Sequence, residues 1–99
     1  MLPTWWSTWI VKPIEHSRIF LKSYESRIVR NHRLKQQLNK RVSLFIQGQK
    51  GQPLNDHALK GGLAGYRAFS VTGDVRVIYK ELPDRYIFID VGTHAQIYK

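Results

Sequence analysis

The chain has no cysteine, which excludes a disulfide framework, a cysteine-ligated zinc site and a thiol nucleophile, and leaves stability to packing alone. That absence suits a reducing compartment, and a cytoplasmic location is the expectation. No apolar run approaches the roughly 20 residues of a membrane span. The apolar start Met1–Thr8 lacks the basic flank, long apolar stretch and small-residue cleavage site of a signal peptide, so neither export nor membrane insertion is expected. Acids are also few: seven Asp and Glu face sixteen Lys and Arg, for a formal charge of +9. Internal repeats and low-complexity segments are missing as well.

What is present describes one folded basic domain. A length of 99 residues leaves no room for a second domain, and 42% hydrophobic residues with 12% aromatics are too apolar for a disordered basic tail. The charge is uneven. Residues 1–50 hold ten basic and two acidic side chains, a balance of +8, whereas residues 51–99 hold six and five, or +1. A basic half of this kind favours a polyanion or an acidic protein partner; the alternative is a solvated helix face.

Thr8 to Ile14 is rich in β-formers and predicts a short first strand, with Pro13 confining it to an edge or an end. Ser17 is placed to cap a helix whose Phe20, Tyr24 and Ile28 recur every four residues. Asn31-His32 breaks that pattern. A second helix from about Arg33 to Gln47 carries the stripe Leu34, Leu38, Val42 and Phe45, and Gly48 ends it. Residues 51–65 read as a loop. Three strands follow, near Tyr66–Val71, Val75–Lys80 and Arg85–Val91, as an antiparallel meander. A three-residue turn at Thr72-Gly73-Asp74 sets Val71 opposite Val75 and collects Phe69, Val71, Val75, Val77 and Tyr79 on the core face, joined by Ile87, Ile89 and Val91. The other face then carries Tyr66, Ala68, Ser70, Arg76, Ile78, Lys80, Tyr86, Phe88 and Asp90. The class is α+β, a helical hairpin on a mainly antiparallel sheet.

Of the four histidines, His16 and His32 flank helix ends and suit capping or solvation. His57 lies in the loop before the sheet and His94 just after the last strand, so the fold can bring both to the open face. Histidine as a class exchanges protons near neutral pH. No metal-ligand spacing, phosphate-binding glycine loop or nucleophile elbow accompanies them, and neither metal nor cofactor is expected. A site of His, Arg, Lys, Asp and Tyr suits cleavage of RNA through its own 2′-hydroxyl. A base takes that proton, cations stabilise the phosphorane and an acid protonates the leaving 5′-oxygen. Tyr66, Tyr86 and Phe88 are candidates for stacking on unpaired bases, with sheet packing as the alternative.

Four motifs in order carry a family resemblance: Leu54-Asn55-Asp56-His57-Ala58-Leu59-Lys60-Gly61, Gly65-Tyr66-Arg67, Asp74-Val75-Arg76-Val77-Ile78-Tyr79, and Gly92-Thr93-His94 with Tyr98. Over about residues 10–99 the chain resembles the RelE/ParE superfamily of type II toxin–antitoxin toxins, nearest the YafQ-like branch. The resemblance implies a βααβββ fold with a curled sheet and ribosome-dependent, metal-independent cleavage of mRNA. It also implies neutralisation by a cognate antitoxin, with operator DNA met only indirectly through that antitoxin. By the same resemblance His94 is the general acid, His57 the base or an RNA contact, Asp74 an orienting or base residue, and Arg76 and Lys60 stabilise charge. Arg67 and Tyr98 are expected to join the RNA contacts, and Lys22, Arg27, Lys35, Lys40 and Arg41 to hold a backbone from the exposed helix sides. Ser70 and Val75 depart from the branch, which has a histidine and a tryptophan there. Met1–Thr8 exceeds the usual beginning of the family. The rival is a ParE-like toxin that binds DNA gyrase without a catalytic histidine, and a third option is a binding domain without turnover.

Overall fold

The computed structural model describes residues 12–98. The order is β1 (Ile14–His16), α1 (Arg18–Ser23) running into a π-helical turn (Tyr24–Ile28), α2 (His32–Ile46), β2 (His57–Ala58), a 3-10 turn (Gly61–Leu63), β3 (Arg67–Ser70), β4 (Val75–Glu81), β5 (Tyr86–Thr93) and α3 (His94–Ile97). The strand expected over Thr8 to Ile14 lies mostly outside the described residues, as does all of Met1–Thr8. Within them β1 begins where that expectation ended, after Pro13, which has no N–H to give a ladder but whose carbonyl accepts the Tyr86 N–H (3.0 Å). No helix among the described residues is long and apolar enough to cross a membrane.

Ser17 joins helix to sheet. Its side chain accepts the Phe20 N–H (3.0 Å) as the N-cap of α1 and donates to the Ile89 carbonyl (2.8 Å), while its own N–H donates to Phe88 O (2.9 Å). The Arg27 guanidinium then donates to Val91 O (3.0 Å) and pairs with Asp90 (3.5 Å). β1 covers only Tyr86–Phe88 of β5, so these side chains supply partners further along the same strand. In α2 the Asn31 side chain caps Leu34 N–H (3.1 Å), and Gly48 stops the helix at φ +86°, a left-handed conformation that glycine adopts without strain.

The sheet runs β1-β5-β4-β3-β2, parallel only between β1 and β5. The fold is therefore α+β, a helical pair on a mainly antiparallel sheet. Thr72 Oγ1 accepts both the Asp74 and Val75 N–H groups (3.2 and 3.0 Å), closing the three-residue turn with Val71 N–H on Val75 O (2.8 Å) as expected. Phe69, Val71, Val75, Val77 and Tyr79 are buried together. Phe45 from α2 stands at their centre, stacked on Phe69 (4.9 Å between ring centroids) and edge-on to Tyr79 and Tyr86 (4.8 Å each).

Strand β5 departs from the expected face. Ile78 pairs with Asp90 but Tyr79 pairs with Phe88, so Ile89 is an extra, bulged residue. The bulge shifts the alternation by one. Phe88 is buried in the core and Tyr86 packs against it, whereas Ile87 and Ile89 are only half-buried. Phe88 is thus unavailable for stacking on bases, and the half-buried Tyr86 ring is engaged by Phe45 and by the Lys12 ammonium. Tyr66 keeps the expected face, with the Lys80 ammonium 5.8 Å from its ring.

The segment read as a loop over 51–65 contains the edge strand β2, paired with β3, and it is held from within. The Asp56 carboxylate is fully shielded from solvent and receives the Arg67 guanidinium (Nη2 at 2.7 Å, Nε at 2.7 Å), the Tyr79 hydroxyl and, at 3.8 Å, the Lys50 ammonium. Burial pushes the Tyr79 hydroxyl well above its ordinary titration range, and the hydrogen bond to Asp56 adds to that. Burial opposes the Arg67 charge, yet its bonds to Asp56 and Tyr79 outweigh this and raise it.

The sign of the resulting pH dependence follows. An unfolded tyrosine ionises near pH ~10, below the folded value, so the stabilisation is complete below that pH and declines as pH rises above it. Urea unfolding from pH 8 to 11 should show stability falling more steeply in the native chain than in Tyr79→Phe. The variant should also lose about 1–2 kcal/mol at neutral pH. Parallel curves would rule out the phenol as the source.

Candidate active site

Strand register decides which side chains can meet. His57 pairs with Ala68, Ala68 with Ile78, and Ser70 with Arg76, so the two-residue period sets His57 and Arg76 on one face. Arg76 also lies opposite Gly92, and two residues beyond Gly92 His94 opens α3. With Lys60 and Tyr98 these side chains line a cleft of about 330 Å³. His57, Lys60 and His94 are exposed, and Arg76 and Tyr98 are half-buried. No carboxylate lines the cleft.

Each histidine is oriented by its own backbone surroundings. His57 Nδ1 lies 2.9 Å from the Asn55 carbonyl. A carbonyl only accepts, so Nδ1 carries the hydrogen and the neutral ring presents its lone pair at Nε2. Asn55 turns that carbonyl inward from a left-handed conformation (φ +47°), which asparagine tolerates better than most residues. His94 sits in the first turn of a helix begun by a capping box. Thr93 Oγ1 accepts the Gln96 N–H (3.3 Å), and Gln96 Oε1 accepts the Thr93 N–H (2.8 Å). The imidazole of His94 meets the Tyr98 ring at 4.5 Å, tilted by 47°. Neither α3 nor the Asn55 contact was foreseen. The Thr93-x-x-Gln96 spacing was the available signal for the first.

Arg76 forms no ion pair among the described residues. Its guanidinium donates to the Asp74 carbonyl (3.4 Å), while Asp90 is engaged by Arg27. Asp74 itself lies at the exposed turn outside the cleft. Arg67, expected among the RNA contacts, is opposite Tyr79 in the register and so faces the helix-covered side, bound to Asp56. Arg41, expected on the exposed side of α2, is half-buried and donates to the Pro53 and Ser70 carbonyls (3.0 Å each). Lys22 and Lys40 are exposed and Lys35 is half-buried, all outside the cleft. Val75 is a core residue, and Ser70 borders a neighbouring depression with Arg41.

A family model described as a bacterial toxin of the type II toxin-antitoxin system, YafQ, matches residues 12–99. Among solved structures the chain is similar to YafQ from E. coli strain BL21(DE3), at 28% identity and a TM-score of 0.76 over 89% of this chain and 99% of that one. The E. coli DinJ-YafQ complex is similar at 29% identity and a TM-score of 0.74, again over 89% and 99%. A metal-bound toxin from Helicobacter pylori follows at 27% identity and 0.73, over 88% and 99%. Among curated protein sequences none matches significantly.

Gly92 permits the turn into α3. A Cβ there would lie 2.7 Å from both Arg27 Nη1 and Gln96 Oε1 and 3.2 Å from Gln96 Cβ. Gly92→Ala should therefore displace the capping glutamine and the Arg27 contact. The expected loss is about 1–2 kcal/mol on chemical unfolding, the size of a helix cap, with broadened NMR signals for His94 and Tyr98. Unchanged stability and spectra would show that the side chains yield freely.

Proposed function

The chain belongs to the YafQ family of bacterial type II toxins, and from that premise we propose that it is an endoribonuclease that cleaves mRNA on the ribosome in the His57–His94 cleft. The observation that carries the reading is the cleft's composition: two imidazoles, Lys60, Arg76 and Tyr98 converge there without a carboxylate. In the proposed reaction His57 Nε2 takes the proton of the RNA 2′-hydroxyl, and the 2′-oxygen attacks the adjacent phosphorus. The bond from phosphorus to the 5′-oxygen breaks, and protonated His94 supplies the proton that the 5′-oxygen needs. The products are a 2′,3′-cyclic phosphate and a 5′-hydroxyl. Arg76 and Lys60 offset the charge that builds on the phosphorane oxygens. Tyr98 holds the His94 ring and offers a stacking face. Asp74 acts through its carbonyl on Arg76 rather than as a base. The reaction written this way uses neither metal nor cofactor.

His94→Ala should lower the rate of mRNA cleavage on translating ribosomes by about 10²–10⁴-fold at saturating protein, with ribosome binding retained. Full cleavage by this variant would remove His94 as the acid. Arrest of DNA gyrase with ribosomal mRNA left intact would replace the whole reading with that of a gyrase-binding toxin. Lys22, Lys35 and Lys40 serve the backbone contacts in this reading. Their removal should weaken ribosome binding and flatten its salt dependence, whereas saturating protein restores cleavage.

The partner inferred for the chain is a cognate antitoxin, as DinJ accompanies YafQ in the E. coli complex, and operator DNA is reached only through it. An apolar groove of about 400 Å³ between α1, α2 and β1, bordered by Leu21, Tyr24 and Val42, supports this. Leu21 is 52% exposed at its edge, an anchor of the kind an amphipathic segment covers. The +8 half provides long-range attraction for an acidic segment. Raising salt should slow association with the antitoxin more than it speeds dissociation, as stopped-flow mixing would measure. An association rate indifferent to salt would sink the electrostatic part.

A further inference from the structure

Beside the cleft lies a second depression of about 340 Å³, bordered by Arg41, Gln52, Asn55, Ser70, Thr72 and Gly73. Arg76 lines both, so the two adjoin at its side chain. Asn55 links the two, although it lines only the second. Its carbonyl orients His57 in the first, and the residue borders the second.

Arg41 is held there in an unusual way. Its Nη1 is fixed by two backbone carbonyls, Pro53 O and Ser70 O, each at 3.0 Å, and among the described residues it forms no ion pair with a carboxylate. Carbonyls restrict where the guanidinium sits but leave its full charge in place, whereas a carboxylate would neutralise it. Arg76, on the other side, is likewise without a carboxylate partner. Arg41, held by two carbonyls, and Arg76, with one longer contact to Asp74 O, thus flank a hollow whose remaining lining is mostly amide, hydroxyl and glycine. Such a lining suits an anion that also accepts hydrogen bonds, and offers little to an apolar side chain. The Arg76 boundary with the histidine cleft favours a polynucleotide, in which successive phosphates are one sugar apart, over an acidic peptide.

We propose that this depression is a binding subsite for the phosphodiester next to the one that is cleaved, on the same RNA strand. The proposal rests on the endoribonuclease reading above. Arg41 would grip that neighbouring phosphate, with Gln52, Asn55 and Thr72 around it and Arg76 standing between it and the scissile phosphate. Arg41 would thereby set the position of the scissile group relative to His57 and His94 while lying outside the chemistry.

The probes are 2′-deoxy oligonucleotides, which lack the nucleophile and cannot be cleaved: a dinucleotide with one phosphate and a trinucleotide with two. NMR titration at low salt locates each and measures its affinity. The second phosphate should strengthen binding about fivefold, with shifts spreading from His94 and Arg76 to Ser70, Thr72 and the Arg41 side chain. Arg41→Ala should cut that ratio to about twofold or less. Because this change also loosens the Pro53–Ser70 contact, Gln52→Glu is the companion. It is exposed and nearly isosteric, keeps Arg41 anchored, and should reduce the ratio through charge alone. If the dinucleotide binds at the histidines but the ratio is the same in the native chain and both variants, the subsite is overturned and the nuclease reading stands. If the dinucleotide fails to perturb the histidine cleft at all, the subsite is overturned, and mRNA cleavage on translating ribosomes by the native chain decides the nuclease reading separately. An acidic antitoxin peptide that shifts the Arg41 and Thr72 signals where the trinucleotide does not would also overturn the subsite, in favour of a protein ligand.

Discussion

A carboxylate without access to solvent, Asp56, binds together three segments that are far apart in the chain: Lys50 after α2, Arg67 on β3 and Tyr79 on β4. Burying a charge costs several kcal/mol per ion unless paired groups and hydrogen bonds offset it. Here the Arg67 guanidinium and the phenol supply those bonds, and removing the charged partner of such a buried pair typically costs about 3–5 kcal/mol. The consequence reaches the site through chain connectivity. Asp56 is flanked by Asn55, whose carbonyl orients one imidazole, and by His57, which carries it. A loop of polar residues that would otherwise move is thereby given a framework from the sheet beneath it. The positions of β2, His57 and Asn55 all follow from that one anchoring.

The scarcity of acids gives this arrangement its electrostatic meaning. Glu15, Asp56, Glu81 and Asp90 each pair with a cation elsewhere in the fold, Arg85, Arg67, Lys12 and Arg27 in turn, while Asp84 pairs only with its neighbour Arg85. Lys12 shows the direction of such pairing, since its hydrogen bond to Glu81 raises the ammonium and lowers the carboxyl. Acids are placed where they tie segments together. Lys60, Arg76 and Arg41 are among the cations without carboxylate partners in the described residues and border the two adjoining hollows, whereas others such as Lys22, Arg30 and Lys40 lie outside them, on the helices or the turn between them. A positive field concentrated in a concavity attracts anionic ligands far more than the same charges spread over a convex surface. The net charge of +9 is therefore less informative than where its excess lies.

The α+β order, the Ser17 cap, the break between the helices at Asn31-His32, the glycine stop at Gly48 and the three-residue turn at Thr72–Asp74 were legible in the sequence. Each depends on residues within a few positions of one another, and a local energy difference of about 1 kcal/mol is enough to choose. The same locality gave the register that places Arg76 on the open face, and the His57 and His94 pairing was legible from their places around the strands. The side of Tyr86 and Phe88 was not, because the bulged Ile89 exists only through how β5 meets β4 and Ser17. Nor was the capture of Arg67 by a buried acid eleven residues away, or the seating of Arg41 on two carbonyls of other segments. By itself the sequence determined which elements form and which faces they present at short range. Tertiary structure alone decided which cations are neutralised and which are left free. Ion pairing and backbone capture depend on distances through space, and alternation along a strand carries no information about the partner that a side chain will meet across it.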